Sequence, residues 1–209
     1  MTEPESPHIP AMDPTRGPDA PVVAPPCRPD AARALFLDRD GVINIDHGYV
    51  HQEERFDFID GIFDLTRAAC RLGHRVVVVT NQSGIARGYY TESRFHALTD
   101  WMRAAFEREG SRIDAVYFSP FHPTKGIGPY RREDPSRKPG AGMILQAARE
   151  LNLDLGGSLL VGDRLSDIQA AAAAGVGRAL LLVHPAERAP EDPPCPVIAS
   201  PRDAIPWLM

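Results

Sequence analysis

Two acidic residues at Asp-x-Asp spacing follow an apolar run near the start of the chain, in the segment Leu35–Gly41. They are Asp38 and Asp40, and the glycine after them lets the backbone turn sharply and approach a ligand closely. An Asp-x-Asp pair on its own is common, and in many loops such side chains only cap nearby backbone amides. A second carboxylate pair, Asp163 and Asp167, follows another apolar run far along the chain. Both segments are candidate parts of one chemical site.

Hydroxyl, amide and cationic side chains provide the other candidate groups. The segment Thr80–Ser83 follows an apolar run and offers a hydroxyl and turn amides. Lys138, beside Arg137, is one of only two lysines in the sequence; the other is Lys125. A lysine near an acidic cluster favours a charge-specific role, and an ordinary surface position is the alternative.

Short apolar runs alternate with segments of helical periodicity from residue 31 onward, which predicts an α/β fold. The expected architecture is a Rossmann-like, doubly wound parallel sheet with helices on both faces. The predicted strands are Ala34–Asp38, Arg75–Asn81, Ala115–Ser119, Ser158–Asp163 and Arg178–Val183. The predicted helices are Asp60–Leu72, Thr91–Gly110, Gly140–Leu151 and Leu165–Ala174, and a last short element is expected at Ile205–Trp207. Ligands of such sheets bind beyond the carboxyl ends of the strands, where the candidate residues lie.

The composition excludes several classes of protein. The chain has 209 residues, of which 43% are hydrophobic and 24% are charged, and its net charge is −5. It is long enough for one α/β domain with a full core. The negative charge argues against a nucleic-acid-binding protein. No apolar run approaches the roughly 20 residues that cross a bilayer, so no membrane association is expected.

The N-terminal segment and the cysteines complete the predicted organisation. Residues 1–30 hold nine of the 21 prolines and no apolar stretch of signal-peptide length. We predict that they form a disordered tail, followed by a single domain over residues 31–209. The three cysteines Cys27, Cys70 and Cys195 are odd in number and lack metal-ligand spacing. This pattern favours a reducing, cytoplasmic location.

Four segments together resemble the haloacid dehalogenase superfamily of phosphohydrolases. They are Leu35–Gly41, Val79–Gly84, Arg137–Pro139 and Val161–Asp167, so the resemblance extends over about Ala34–Val183. It implies an aspartyl-phosphate mechanism. Asp38 would attack phosphorus, while Asp40 would protonate the leaving oxygen and then deprotonate the hydrolytic water.

The same resemblance implies a Mg²⁺ cofactor. The ion would be held by Asp38, the backbone carbonyl of Asp40 and Asp163. Lys138 and the Thr80 hydroxyl would hold the oxygens of the reacting phosphate. Asp167 would support the metal site from behind, or would only stabilise the N-terminus of the following helix.

Many members of this superfamily carry an inserted cap domain. The two positions for such an insertion are the segments Val42–Ile59 and Pro120–Arg137, which have only 18 residues each. We therefore expect a capless enzyme in which these two loops select the substrate.

Other segments resemble the heptose-1,7-bisphosphate 7-phosphatase and histidinol-phosphate phosphatase family. They are Asn44–Val50, Thr80–Gly88 and Arg137–Pro139. The resemblance implies contacts to substrate from Asp46, His47, Gly48, Tyr49, Thr80, Asn81, Gln82, Ser83, Arg137, Lys138 and Arg164. Arg137 and Arg164 are expected to bind a second phosphate.

The implied function is hydrolysis of heptose 1,7-bisphosphate at the 7-phosphate, in the synthesis of activated heptose for lipopolysaccharide. The alternatives are a histidinol-phosphate phosphatase and a non-catalytic module that binds a phosphorylated ligand. The expected partner is a small sugar phosphate, and the expected state is a monomer or weak oligomer.

One departure from the family pattern concerns a structural zinc. Many members bind zinc in the second loop through a Cys-x-His pair and a Cys-x-Cys pair. This sequence has Ser119–His122 and Asp134–Ser136 at those places, and no thiolate remains. Structural zinc sites use nitrogen and sulfur ligands, so we predict that zinc is absent. The prolines of the loop are expected to stiffen it instead.

Overall fold

Six parallel strands form one sheet in the order β3-β2-β1-β4-β5-β6. The computed structural model describes residues 30–184, 188 and 190–209. The predicted tail and Cys27 therefore lie outside the described residues, apart from Asp30. The strands are β1 (Ala32–Leu37), β2 (Arg75–Asn81), β3 (Ala115–Ser119), β4 (Leu153–Gly162), β5 (Arg178–Leu182) and β6 (Val197–Ile198).

Helices connect the strands, as the alternating sequence pattern predicts. They are α1 (Ile62–Arg71), α2 (Ser83–Ala86), α3 (Glu92–Arg108), α4 (Gly142–Glu150) and α5 (Leu165–Ala174). Three 3₁₀ helices lie at Glu53–Arg55, Gly128–Tyr130 and Pro201–Leu208. The bounds of β2, β3 and α5 are those predicted, and Gly175 ends α5 in the left-handed conformation (φ 80°).

The structure corrects the prediction at four elements. Strand β4 begins at Leu153, whereas the sequence predicts a start at Ser158. The prediction starts too late because Gly156 and Gly157 interrupt the apolar pattern, although the strand itself runs through them. Strand β6 has only two residues and helix α2 only four, so neither gives a periodic signal. The 3₁₀ helix at the end of the chain begins at Pro201, before the expected element.

The core consists of two apolar layers, one on each face of the sheet. Leu35 and Leu37 of β1 pack in the layer that includes side chains of α1 and α3. Ala34 and Phe36 alternate with them and pack in the layer that includes α4 and α5. Because both faces of the sheet are covered, the residues of β1 from Leu35 to Leu37 are all apolar.

The strand order reverses between β1 and β4, and this places the candidate carboxylates side by side. Chain connections run outward from β1 through β2 to β3, whereas β4 lies on the other side of β1. Leu37 pairs with Val161, so Asp38 and Asp163 follow neighbouring strands at the same edge of the sheet. This topological switch point is where open α/β sheets bind their ligands.

The two loops over this edge contain little regular structure. One single-turn 3₁₀ helix lies in each, at Glu53–Arg55 and Gly128–Tyr130. Asn44 forms isolated bridges to Asp40 and Phe58 that fold the first loop back on itself. Neither loop holds an inserted domain, as expected from their lengths. None of the helices in the described ranges is long and apolar enough to cross a membrane.

Candidate active site

A cavity of about 440 Å³ opens at the carboxyl ends of the central strands. Polar and charged side chains form most of its wall, as expected for a site that binds an anion. The residues that line it are Asp38, Asp40, Asp46, Tyr49, Thr80, Asn81, Gln82, Ser83, Arg87, Tyr90, His122, Arg137, Lys138, Arg164, Ser166 and Asp167.

Lys138 occupies the floor of the cavity and is almost fully buried. Its Nζ lies 2.9 Å from Asp38 Oδ2 and 2.6 Å from Asp167 Oδ1, and it donates to the Val79 carbonyl at 2.8 Å. Burial by itself would lower the pKa of this ammonium, but the two carboxylates outweigh burial and raise it. Lys138 is therefore a fixed positive charge that orients Asp38.

Three carboxylates at this edge of the sheet can reach one cation. Oxygen atoms of Asp38, Asp163 and Asp167 all lie within 4.8 Å of one another. Burial raises the pKa of Asp38 to about 6, although Lys138 opposes the shift. Burial, with Asp38 and Asp167 as nearby like charges, raises the pKa of Asp163 to about 8. The cluster thus carries excess negative charge that a cation would offset.

The donor atoms of this cluster fit Mg²⁺, which prefers oxygen ligands. Asp163 Oδ1 is buried and has no hydrogen-bond partner among the described residues. Asp167 Oδ1 lies 2.6 Å from Lys138 Nζ, and its Oδ2 accepts from the backbone N–H of Arg164 at 3.0 Å. Asp163 Oδ1 is therefore the one carboxylate oxygen of this cluster with neither a hydrogen bond nor an ion pair to another described residue.

Two glycines allow these carboxylates to pack closely. Gly41 has φ +89°, and a Cβ there would lie 2.2 Å from Asp163 Oδ2. A Cβ on Gly162 would lie 2.3 Å from the Cβ of Asp167. Any larger residue at either position would push a carboxylate out of the cluster.

Asp40 is held by three donors on the wall of the cavity. Arg39 donates to both carboxylate oxygens at 2.8 Å, and Asn44 Nδ2 donates at 3.0 Å. Gln82 Nε2 donates to Asp40 at 3.1 Å and to Thr80 Oγ1 at 2.9 Å. One amide therefore fixes the relative position of the two predicted catalytic side chains Asp40 and Thr80.

Asn81 holds the backbone of the lysine. Its Oδ1 accepts from the N–H of Lys138 at 3.0 Å, and its Nδ2 donates to the Lys138 carbonyl at 3.1 Å. This pair of hydrogen bonds ties the second loop to the end of β2. Asn81 lines the cavity as predicted, and it also positions Lys138.

The first loop brings only half of its predicted contacts to the cavity. Asp46 and Tyr49 line the wall. His47 Nε2 instead lies 2.7 Å from Asp57 Oδ2, and the Gly48 N–H donates to Asp46 Oδ1 at 2.9 Å. Neither His47 nor Gly48 forms part of the wall. A contact from His47 to substrate would require Asp57 to release the imidazole.

The two predicted phosphate-binding arginines have different environments. Arg137 is partly buried and donates to the Phe121 carbonyl at 3.0 Å. Burial, with Arg87 as a nearby like charge, lowers its pKa. Arg164 is 62% exposed and donates to Asp46 Oδ2 at 2.8 Å, with Asp163 Oδ2 at 3.6 Å. The positive charge of Arg164 is therefore largely offset inside the protein.

Five side chains hold the second loop where the family resemblance would place a zinc site; we name them the loop latch. Ser136 Oγ lies 3.0 Å from Ser119 Oγ and donates to Asp134 Oδ1 at 2.6 Å. Arg132 donates to Asp134 Oδ2 at 3.0 Å, and its guanidinium lies 4.0 Å from the centre of the Phe121 ring. Ser119 and Ser136 are fully buried.

The residues at this place do not fit a zinc ion. His122 Nδ1 accepts two backbone N–H groups, from Thr124 at 3.3 Å and Lys125 at 3.1 Å. The second loop contains no thiol, and the carboxylate of Asp134 is already bound by Arg132 and Ser136. The chemistry of this donor set is that of a hydrogen-bond network.

Sequence reasoning did not single out several residues of the site. Arg39 supports Asp40 from a buried position with its guanidinium between two phenyl rings. The Tyr90 hydroxyl donates to Gln82 Oε1 at 2.6 Å, and burial raises the pKa of this tyrosine well above its usual value. Arg87 and His122 line the cavity wall. Of these, only Arg87 gave a usable signal, as a charged residue inside the motif Thr80–Gly88.

Several known proteins are similar to this chain in sequence and in fold. A family model described as HAD-hydrolase-like matches residues 135–200. The D-glycero-alpha-D-manno-heptose-1,7-bisphosphate 7-phosphatase of Burkholderia mallei is 55% identical over 176 residues, which cover 84% of this chain and 93% of that protein. The D-glycero-beta-D-manno-heptose-1,7-bisphosphate 7-phosphatase of Vibrio cholerae is 52% identical, over 73% of this chain and 82% of that protein.

A solved structure shares the fold of this chain. The D,D-heptose 1,7-bisphosphate phosphatase of B. bronchiseptica, complexed with magnesium and phosphate, superposes with a TM-score of 0.70 at 30% identity. The match covers 84% of this chain and 97% of that one. The chain therefore belongs to the heptose-1,7-bisphosphate 7-phosphatase family of the haloacid dehalogenase superfamily, and it is a phosphoric monoester hydrolase.

Proposed function

We propose that this chain hydrolyses heptose 1,7-bisphosphate at its 7-phosphate, with Asp38 as the nucleophile. The observation that carries the proposal is Asp38 at the floor of a polar, charged cavity, with one oxygen 2.9 Å from Lys138 and the other 2.6 Å from the N–H of Arg39. The carboxylate is thereby oriented toward a bound phosphate. The names of relatives 48–55% identical to the chain support the choice of substrate.

The reaction divides into two displacements on phosphorus. An oxygen of Asp38 attacks the 7-phosphoryl group, the bond from phosphorus to the sugar oxygen breaks, and Asp40 gives that oxygen a proton. Water then attacks the phosphorus of the aspartyl-phosphate, Asp40 takes the water proton, and inorganic phosphate leaves. Lys138 and the Thr80 hydroxyl stabilise the charge on the transferred oxygens.

We further propose that Asp38, the backbone carbonyl of Asp40, and Asp163 hold Mg²⁺. The bound ion would reduce the repulsion between a carboxylate and a phosphate dianion. The excess negative charge of this cluster and the unpartnered oxygen of Asp163 support the assignment. Asp167 acts through Lys138 and the start of α5 rather than as a metal ligand.

Asp46, Tyr49, Asn81, Gln82, Ser83, Arg137 and Arg164 line the same cavity and are proposed substrate contacts. A structural zinc is not part of the proposal, because the loop latch occupies its place. Cys70 and Cys195 are free thiols, which supports a cytoplasmic location. The proposed partner is the small-molecule sugar phosphate, with the chain a monomer or weak oligomer.

The test is a comparison of substrates with the purified protein and Mg²⁺. We expect kcat/KM to be highest for heptose 1,7-bisphosphate, lower for heptose 7-phosphate and lowest for histidinol phosphate, which has no second phosphate. Phosphorus NMR should show heptose 1-phosphate as the product. Preference for histidinol phosphate would identify a histidinol-phosphate phosphatase, and tight binding without turnover would identify a binding module; both results contradict the proposal.

A further inference from the structure

Positive charge without a carboxylate partner lies on one wall of the cavity. Arg87 follows α2 and Arg137 precedes Lys138, and both line the cavity. Among the described residues, neither guanidinium lies within 4.0 Å of a carboxylate oxygen. Arg87 Nε is buried and has no hydrogen-bond partner in that part of the chain. Two neighbouring guanidinium groups repel each other unless an anion lies between them.

The positions of both guanidinium groups are supported from behind. The face of the Tyr49 ring lies 5.5 Å from the guanidinium carbon of Arg87, which favours a fixed orientation of this cation. Arg137 donates one N–H to the Phe121 carbonyl, and its remaining donors are available to a ligand. Preorganised donors of this kind favour bidentate binding of a phosphate group.

His122 adds a neutral donor to the same wall. Its Nδ1 accepts the N–H groups of Thr124 and Lys125, so the proton of the neutral ring is on Nε2. Burial, together with the nearby Arg137 and Arg87, lowers the pKa of His122 and favours this neutral form. An Nε2–H group donates to an anion without adding to the repulsion between the arginines.

Arg164 differs from this group because its charge is already offset. It is exposed at the rim and contacts Asp46 and Asp163. An anion that bound Arg164 would first have to displace Asp46, or would meet the repulsion of both carboxylates.

We propose that Arg87, His122 and Arg137 bind the remote phosphate of the substrate, the one that is not hydrolysed; we call these three residues the remote-phosphate site. The inference rests on the proposed function, because it assumes a substrate with two phosphates. It assigns binding roles to Arg87 and His122 and gives Arg164 a lesser part in selecting a bisphosphate.

The experiment compares kcat/KM for heptose 1,7-bisphosphate and heptose 7-phosphate in four variants. Arg87→Gln is expected to lower the ratio of kcat/KM for the bisphosphate to kcat/KM for the 7-phosphate roughly 10- to 150-fold. This is the loss typical of a charge-assisted hydrogen bond. His122→Phe is expected to lower it roughly 2- to 12-fold, as for a neutral hydrogen bond. Arg164→Gln should lower it by at most about fivefold. Arg131→Gln, an exposed change in the same loop, is the matched control and should keep the wild-type ratio.

The remote-phosphate site also predicts that the product inhibits the Arg87→Gln variant more weakly than it inhibits the wild type. Heptose 1-phosphate retains only the remote phosphate, so its inhibition constant should rise in Arg87→Gln by a factor similar to the loss in the ratio. A larger effect of Arg164→Gln than of Arg87→Gln, or an equal loss for both substrates in Arg87→Gln, would overturn the inference. Wild-type preference for histidinol phosphate would instead overturn the proposed function itself, so the two failures are distinguishable.

Discussion

The ammonium of Lys138 contacts three groups inside the protein. It forms ion pairs with Asp38 and Asp167 and donates to the Val79 carbonyl, while Asn81 holds the lysine backbone in place. Asp38, the proposed nucleophile, is therefore oriented before any substrate binds. Such preorganisation removes part of the reorganisation that the reaction would otherwise require.

The carboxylates of the proposed metal site predict a pH dependence of Mg²⁺ binding. The folded-state pKa of Asp163 is raised from 3.8 to about 8, and that of Asp38 to about 6. The unfolded chain loses these protons at lower pH than the folded one, so metal-free stability falls as pH rises from about 4 to about 8. Mg²⁺ binds the ionised carboxylates and must displace a proton from Asp163 below about pH 8.

We therefore expect Mg²⁺ to raise the Tm more at pH 8 than at pH 6, relative to a chelator at the same pH. The measurement is thermal unfolding at both pH values, with Asp163→Asn as the variant that should lose the Mg²⁺-dependent gain. Equal gains at the two pH values would contradict the raised pKa of Asp163.

At the scale of elements, the second loop is held by the loop latch. Ser136, Asp134 and Arg132 connect the segment before Arg137 to the end of β3 and to the ring of Phe121. Arg137 directly follows this network in the chain. The position of Arg137, a proposed substrate contact, therefore depends on these hydrogen bonds.

Ser136→Ala removes the centre of the loop latch and leaves Ser119 Oγ without its partner. We expect the free energy of unfolding to fall by about 1–3 kcal/mol, the usual cost of an unpaired buried polar group. The preference for the bisphosphate should fall as well, because Arg137 loses its support. Thermal unfolding and the kcat/KM ratio measure the two effects, with the exposed Ser93→Ala as control.

Metal analysis completes the test of the loop latch. We expect purified protein, after dialysis against a chelator, to retain no zinc. Near-stoichiometric zinc, or an unchanged Tm in Ser136→Ala, would show that the loop is held in another way.

At the scale of the whole molecule, the parallel sheet made part of the site predictable from the sequence. Asp38 and Asp163 were predictable because each directly follows a buried strand, and parallel strands of neighbouring order end at the same edge. The same local signal placed Thr80. The helices and strands with strong periodicity were likewise predictable, including α5 to the residue.

Residues whose orientation depends on tertiary packing or on the conformation of a loop were not predictable in this way. Arg39 is buried between the rings of Phe56 and Phe95, and no local pattern indicates that contact. His122 gains its role only because the loop places Thr124 and Lys125 N–H groups on its Nδ1.

The position of His47 was not predictable for the same reason, and its contact to substrate stays a prediction. Its Nε2 lies 2.7 Å from Asp57, ten residues further along the chain, and His47 is not part of the cavity wall. A motif indicates which residue types are present in a loop, but the tertiary contacts decide which way each side chain turns.

Both apolar layers and every residue of the cavity lie between Ala32 and Leu208. We therefore propose that residues 31–209 act as one catalytic domain. The loops Val42–Ile59 and Pro120–Arg137 bring Tyr49, His122 and Arg137 to the cavity wall, and neither loop holds an inserted cap. We therefore expect these residues to take part in substrate selection.

The covalent step at Asp38 is tested most directly by trapping the phosphorylated enzyme. Acid quenching during turnover of heptose 1,7-bisphosphate, followed by proteolysis and mass spectrometry, should find a phosphoryl group on the peptide that contains Asp38. Asp38→Asn should show no such adduct and should lower kcat by at least about 10³-fold while keeping the wild-type circular dichroism spectrum. A phosphoryl group on another residue, or substantial turnover by Asp38→Asn, would contradict the mechanism.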